Sequence, residues 1–445
     1  MLIINEKIEV HFMKQINTSE KENISENRIR IYPAQLTTQS FGKLKVNCTT
    51  TGLAPIENAT VNISYSGSPN GIVEQLKTDA SGQTAEIELL APSIDYSMEP
   101  STEQPYSEYT LNISAPGFES VVVSNAEILP NVTALQDATL LPAPTETKEG
   151  VLYVIPPHTL FGDYPPKIAE AEIKPRGESG EIVLTRVVIP EYVIVHDGPP
   201  DDPSASNSYI KFRDYIKNVA SSEIYATWPD TTINANVLAI ISFTLNRVFT
   251  EWYKNKGYTF TVTSSTAYDH KWIKGRNIYN TIGYTVDQIF VNYLSRPNVK
   301  QPILTQYCDG NKVQCPNWMT QWGSKNLGDQ GYSAIEIIRH FYGESMYINT
   351  AVEVSGVPSS WPGSNLTIGT RSDPVRQIQA QLNRIADTYS ALPKVAVDGS
   401  YGAGTADAVK TFQRIFGLPQ TGVVDFSTWY KISDIYVAVS RIAEL

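Results

Sequence analysis

Tyr215-Ile-Lys-Asn-Val-Ala-Ser-Ser-Glu223-Ile-Tyr-Ala-Thr-Trp228-Pro229 is where the period of this chain changes. Ile210, Phe212, Tyr215, Ile216, Val219 and Ile224 recur at three- and four-residue spacing, which is the apolar stripe of a helix, and Pro229 stops the run. A second helix is expected over Ala235–Tyr253. It carries no charge before Arg247, so it should be buried on most sides. A third is expected over Ser333–Tyr342. Helices of this kind, following a long strand-rich region, make the chain a multidomain α+β protein.

Upstream the period is two. Leu44-Lys45-Val46, Ala59-Thr60-Val61-Asn62-Ile63, Glu86-Ile87-Glu88-Leu89, Tyr109-Thr110-Leu111-Asn112-Ile113 and Val121-Val122-Val123 are short alternating runs, separated by Pro, Gly and Asn/Asp turn signals. They predict a small antiparallel β-sandwich over 41–140. The turn Thr78-Asp79-Ala80-Ser81-Gly82 and the run Tyr109-x-Leu-x-Ile-x-Ala-x-Gly-Phe118 resemble the carboxypeptidase-regulatory-like, transthyretin-like sandwich family. That resemblance implies a non-catalytic module. Residues 1–40 have no sustained period and read as a flexible leader, and the Pro- and charge-rich 141–150 as a linker. A central α+β domain is expected over 151–356, with strand-like runs at Val151–Ile155, Ile182–Val188 and Tyr192–Val195. The Pro/Gly/Ser-rich stretch 357–368 reads as a second linker, and 369–445 as a three-helix domain.

Of the 445 residues, 41% are hydrophobic and 18% charged, a composition that packs and does not stay disordered. The net charge is −11, and nine of those charges fall in 41–145, where twelve acids face only Lys43, Lys45 and Lys77. A nucleic-acid partner would require a basic face and is not expected. Three cysteines exclude a disulfide-rich scaffold; Cys308 and Cys315 are close enough to pair, while Cys48 is remote. His11, His158, His196, His270 and His340 show no metal-ligand spacing. Glu6, Lys7, Glu9 and Lys14 interrupt every apolar run of the start, so no secretory segment is read there, and no membrane span is expected.

The C-terminal region carries an ordered pattern. Val375-x-x-Ile-Gln-x-x-Leu is followed by Val397-Asp398-Gly399-x-Tyr-Gly402-x-x-Thr405-x-x-Ala-Val409-x-x-Phe412-Gln413, then Gly417-Leu-x-x-x-Gly422-Val-Val and Thr428-Trp429. Asp373 is expected to cap the first helix and Thr405 the second, Gly399 and Gly402 to make the tight loop between, and Phe412 to pack. Over 369–432 this resembles the peptidoglycan-binding-domain-1 family, which implies binding to cell-wall peptidoglycan. Asp398, Gly399, Gln413 and Trp429 are the module positions that the resemblance marks.

Wall binding directs attention to glycan cleavage, which needs a carboxylic acid in apolar surroundings at the scissile oxygen. Between 205 and 260 the acids are Asp214, Glu223, Asp230 and Glu251, and Glu223 has the most apolar neighbours. The opening stretch, with Met319-Thr-Gln321-Trp322-Gly323 and Gly331-Tyr-Ser-x-x-Glu336-Ile-Ile-x-His340-Phe-Tyr342, resembles the two signatures of the stage II sporulation protein D family. The family is a lytic transglycosylase. Its catalytic glutamate carries over onto Glu223, which would protonate the glycosidic oxygen and then act as base while the muramic acid 6-hydroxyl closes an anhydro ring. Gln321 and Trp322 are expected to bind sugar by hydrogen bond and stacking, with Asn236 and Asp309 as further substrate-binding positions. The chain departs from the family at Ile241, where an Arg is common, and at Thr263–His270, which lacks the usual Cys/His cluster. No metal and no cofactor are therefore expected. The family's Ser-Gly-Gly loop is replaced by Tyr307-Cys-Asp-Gly310, so Cys308 lines the cleft, stays a buried thiol, or pairs with Cys315.

The order of parts, with Ala239–Arg247, is similar to the clostridial spore cortex-lytic enzymes. That likeness implies a precursor made in the sporulating mother cell and kept in the spore. A subtilisin-like germination protease would cut it near Gly150–Val151, removing the acidic segment. The freed enzyme would act on cortex peptidoglycan, glycan strands with muramic-δ-lactam. An amidase, or a non-catalytic wall-binding or amidase-enhancing protein with a degenerate site, is the alternative.

Overall fold

The computed structural model describes residues 40–68, 70–143, 150–174 and 186–440. The leader expected over 1–40, apart from Ser40 at the start of a strand, and most of the 141–150 linker lie outside these residues, as does the greater part of the run Ile182–Val188. The chain is a mixed α+β protein with several sheets.

The N-terminal part holds β1 (Ser40–Thr49), β2 (Thr60–Tyr65), β3 (Ile72–Lys77), β4 (Ile87–Ala91), β5 (Ser107–Ser114), β6 (Val121–Ile128) and β7 (Thr133–Thr139), followed by β8 (Val151–Val154). One sheet runs β7-β1-β4, the other β3-β2-β5-β6-β8. Alternation puts Leu44, Val46 and Cys48 of β1, Val61 and Ile63 of β2, and Leu111 and Ile113 of β5 into one core with no exposed surface. Each such side chain contributes roughly 1.5–3 kcal/mol of apolar burial. Burial also pushes the Cys48 thiol up to about 12, so it packs as a small apolar group.

Two features depart from a purely antiparallel sandwich. β1 pairs parallel with β7, Lys43 opposite Thr133, because the strands that meet are the first and last of the region and a long connection lets them run the same way. β8 pairs parallel with β6, Val121 opposite Val151. A further short strand, Ile278–Tyr279, adds to the first sheet beside β7.

Beyond β8 the helices are α1 (Phe212–Glu223), α2 (Asp230–Phe249), α3 (Asn280–Ile289), α4 (Gln321–Asp329) and α5 (Ala334–Tyr342). α2 begins five residues earlier and ends four earlier than its pattern predicts, and sixteen of its residues are buried. α3, α4 and α5 pack around it. Arg247, charged yet buried, is held by Glu170 and Asp269.

The C-terminal helices are α6 (Asp373–Ala386), α7 (Ala403–Ile415) and α8 (Phe426–Ser440). The cap of α6 is Ser372, whose Oγ accepts from Val375 N–H, and Asp373 is the first helical residue instead. α7 starts at Ala403, ahead of Thr405, whose hydroxyl accepts from Gln379 Nε2. α8 is a full helix that lies against α1 and α3: Arg213 and Lys211 bond Asp434, and Phe290 packs on Phe426 and Tyr430. Among the described residues no helix is long and apolar enough to cross a membrane.

Candidate active-site cleft

Glu223 is the last residue of α1. The helix ends there because Ile224 turns to extended backbone, its N–H still closing on the Ala220 carbonyl. The side chain is 3% exposed at the floor of a cleft. One wall is Thr159 and 162–167; the other is 307–309, Lys312, Val313 and Gln321.

Both carboxyl oxygens are engaged. Oε1 accepts the backbone N–H of Lys271 at 2.6 Å, and Oε2 accepts the Tyr307 hydroxyl. Burial raises the Glu223 pKa above the ordinary carboxylate value, opposed by the buried Lys167 ammonium and by these two donors. The protonated acid is thereby favoured while the carboxylate keeps two partners for when it forms.

The surrounding groups are held in turn. Lys167 lies 4.8 Å from the Tyr307 ring centroid and donates to the carbonyls of Thr266 and Asp269. Burial lowers its pKa. The Tyr307 ring stacks on His270 at 5.8 Å, and His270 Nδ1 meets the Tyr215 hydroxyl at 3.1 Å. Burial holds His270 neutral, its pKa well below the usual value.

Cys308 and Cys315 form a disulfide, closing a loop on the cleft's rim. Inside it Asp309 accepts from Lys312 N–H and Val313 N–H, both at 2.8 Å, and Gly310 has a left-handed φ of +78°. Lys312 Nζ crosses to the opposite wall, donating to the Phe161 and Gly162 carbonyls and lying 3.3 Å from Asp163.

The expected substrate-binding residues separate by position. Gln321 and Asp309 line the cleft; the Gln321 amide donates to the Glu223 carbonyl at 2.8 Å and so fixes the end of α1. Trp322 sits beside the cleft in an aromatic cluster with Trp228 and Tyr225, and its indole N–H is buried with no acceptor. Asn236 does not line the cleft. It is buried on α2, donating to Thr232 O and Ser324 Oγ. Glu336 is half of a capping box with Ser333 at the start of α5. Sequence reasoning gave no role to Lys167, Lys271 or Tyr307. Tyr307 directly precedes Cys308, whereas Lys167 lies in a Pro-rich segment with no period to mark it.

In the C-terminal module Asp398 is exposed, and Gly399 is buried with φ +75°. Its N–H donates to Gln379 Oε1 at 2.9 Å, in a loop geometry that glycine supplies without strain. Gln413 has no exposed surface. Its amide bonds Thr421, Gly422, Val423 and Thr428, knitting α7 to the loop before α8. Trp429 is 1% exposed and its indole N–H reaches Ser359 O at 3.2 Å. Gln413 and Trp429 therefore act on the fold of the module, while Asp398 faces solvent.

Residues 371–432 match the family described as putative peptidoglycan binding domain. The chain thus carries a peptidoglycan-binding module, which associates it with the cell wall. No curated protein matches the chain. Similar solved structures include the minor pilin of Streptococcus agalactiae, 14% identical over 25% of this chain and 49% of its own, with a TM-score of 0.17. A type II cohesin–X-dockerin complex from Acetivibrio cellulolyticus is 18% identical over 25% of this chain and 56% of its own, TM-score 0.15. Catechol 1,2-dioxygenase from Acinetobacter is 10% identical over 26% and 60%, TM-score 0.18. The chain spans about half the length of the structures it matches.

Proposed function

We propose that the chain is a lytic transglycosylase acting on spore cortex peptidoglycan, with Glu223 as its single acid and base. The observation that carries the reading is the buried Glu223 carboxyl, raised in pKa and opening onto a cleft. In the first step the Glu223 proton goes to the glycosidic oxygen as its bond to the muramic C1 breaks. The carboxylate left behind keeps the Tyr307 and Lys271 donors. It then takes the proton of the muramic 6-hydroxyl as that oxygen bonds C1, closing the anhydro ring and restoring the acid. No water enters and no second carboxylate is required. Among the acids on the cleft wall, Asp309 is occupied in capping its own loop and the Asp163 side chain is 99% exposed, a setting unlike that of a second buried catalytic group.

The module at 371–432 would hold the enzyme on the wall while the cleft works along a strand. Storage in the spore as a precursor, and activation by a subtilisin-like germination protease near Gly150–Val151, belong to the same reading. Glu223→Gln tests it. Glycan cleavage should fall by about 10²–10⁴-fold, the usual contribution of a general acid–base group, with binding to sacculi unchanged. Undiminished release of muropeptides by that variant would refute the assignment.

A further inference from the structure

We infer that the N-terminal two-sheet domain is a permanent subunit of the enzyme, which stays docked after the chain is cut between Ala143 and Val151. The inference takes from the proposed function only that such a cut occurs. The reasons are where the strands go and what the interface buries.

Chain beyond the cut completes both N-terminal sheets. β8 lies along β6 from Val121↔Val151 to Ser124↔Val154, with Val151 N–H donating to Ser120 O at 2.8 Å and Ile155 N–H to Ser124 O at 3.0 Å. Ser120 O comes so close to Gly150 that a Cβ there would stand 2.5 Å from it. Ile278–Tyr279 lies along β7, Ile278 opposite Leu135 and Tyr279 opposite Ala134. Withdrawing the N-terminal piece would therefore strip two ladders and leave their backbone groups to be satisfied again.

Between these strands sits a buried ion pair. Arg276 donates to Glu127 at 2.5 Å, the two side chains being 0% and 1% exposed. Asn277 exchanges two hydrogen bonds with the Glu127 backbone, and the Tyr279 hydroxyl donates to the Glu127 carbonyl. Separation would leave a buried guanidinium without its carboxylate, the costly way to break such a pair.

The same contact supports the catalytic cleft. Trp228 Nε1 donates to Ser97 O at 2.8 Å and Thr227 Oγ1 to Ser97 Oγ at 2.8 Å, just past the end of α1. His158 N–H donates to the Tyr106 hydroxyl, and the next residue, Thr159, bonds Ser222 O from both its N–H and its hydroxyl. Thr159 is itself on the cleft wall, next to Glu223. The N-terminal domain is thus one layer behind the catalytic acid. Cutting frees chain ends without removing this support.

The test places a specific protease site within 144–149 of the full-length chain, cuts the folded protein, and follows both pieces by size-exclusion chromatography with mass spectrometry. The expected result is co-elution as a one-to-one complex at micromolar concentration in buffer, with separation only in denaturant. Separation of the pieces in buffer alone would overturn the inference. A second measurement guards against mere slow release: after a day with excess isotope-labelled protein cut at the same site, the N-terminal piece should remain with its own partner, and formation of mixed complexes would count against permanence. Neither readout uses activity, so the docking can stand or fall independently of the transglycosylase reading.

Discussion

Glu127 and Glu223 are both buried glutamates whose pKa values burial pushes upward, and they do opposite things. Glu127 faces a guanidinium at contact distance, inside an interface sealed by Asn277 and Tyr279. Glu223 faces a tyrosine hydroxyl and a backbone N–H, with its nearest strong charge, Lys167, close enough to oppose burial but forming no ion pair with it. The first arrangement ties two parts of the chain together; the second leaves a carboxyl open to a cleft, as the proposed acid–base role requires. Burial of a carboxyl alone therefore does not mark a catalytic acid. The proposed role of Glu223 rests on its partners and its access to a cleft as well.

Substitutions separate the two glutamates. The largest effect should come from Arg276→Ala, which leaves Glu127 unpaired and is expected to cost about 3–5 kcal/mol of stability, read by chemical denaturation. Replacing both partners, Glu127→Leu with Arg276→Met, should recover most of that loss. No recovery would mean that the pair does more than hold the interface.

At the other glutamate the expected effects are on pH dependence. The Lys167 ammonium lowers the Glu223 pKa, so Lys167→Met should raise it further and move the alkaline limb of the kcat profile to higher pH. A shift to lower pH would contradict the sign. Tyr307→Phe removes a donor that favours the carboxylate and should move the same limb in the same direction by a smaller amount, with KM little changed. An unshifted limb would place Tyr307 outside the proton-transfer step.

Much of this was legible in the chain, for local reasons. The strands of 41–140 announce themselves because one face of each is buried, which forces alternation, and α1 because its stripe is amphipathic. Glu223 stands out because the residues beside it in sequence, Val219, Ala220, Ile224, Tyr225 and Trp228, are apolar and buried. What was not legible depends on distant pairing. β8 joins β6 in parallel, and Ile278–Tyr279 joins β7 from far along the chain; two- and four-residue strands carry too little pattern to declare a partner. Lys167, Lys271 and Tyr307 reach Glu223 from three segments that no period connects. Gln413 and Trp429 were marked by their motif, but a motif does not say whether a residue meets ligand or core; full burial does. Asn236 illustrates the same limit, since its amide is consumed by Thr232 and Ser324.

In the proposed reaction the muramic 6-hydroxyl, and not water, closes the step that Glu223 opens. Digesting cortex peptidoglycan with the protein in water enriched in oxygen-18, and weighing the released fragments, tests this directly. Anhydro-muramic ends carrying no heavy oxygen are expected. Reducing muramic ends carrying one heavy oxygen each would show hydrolysis and contradict the proposed reaction.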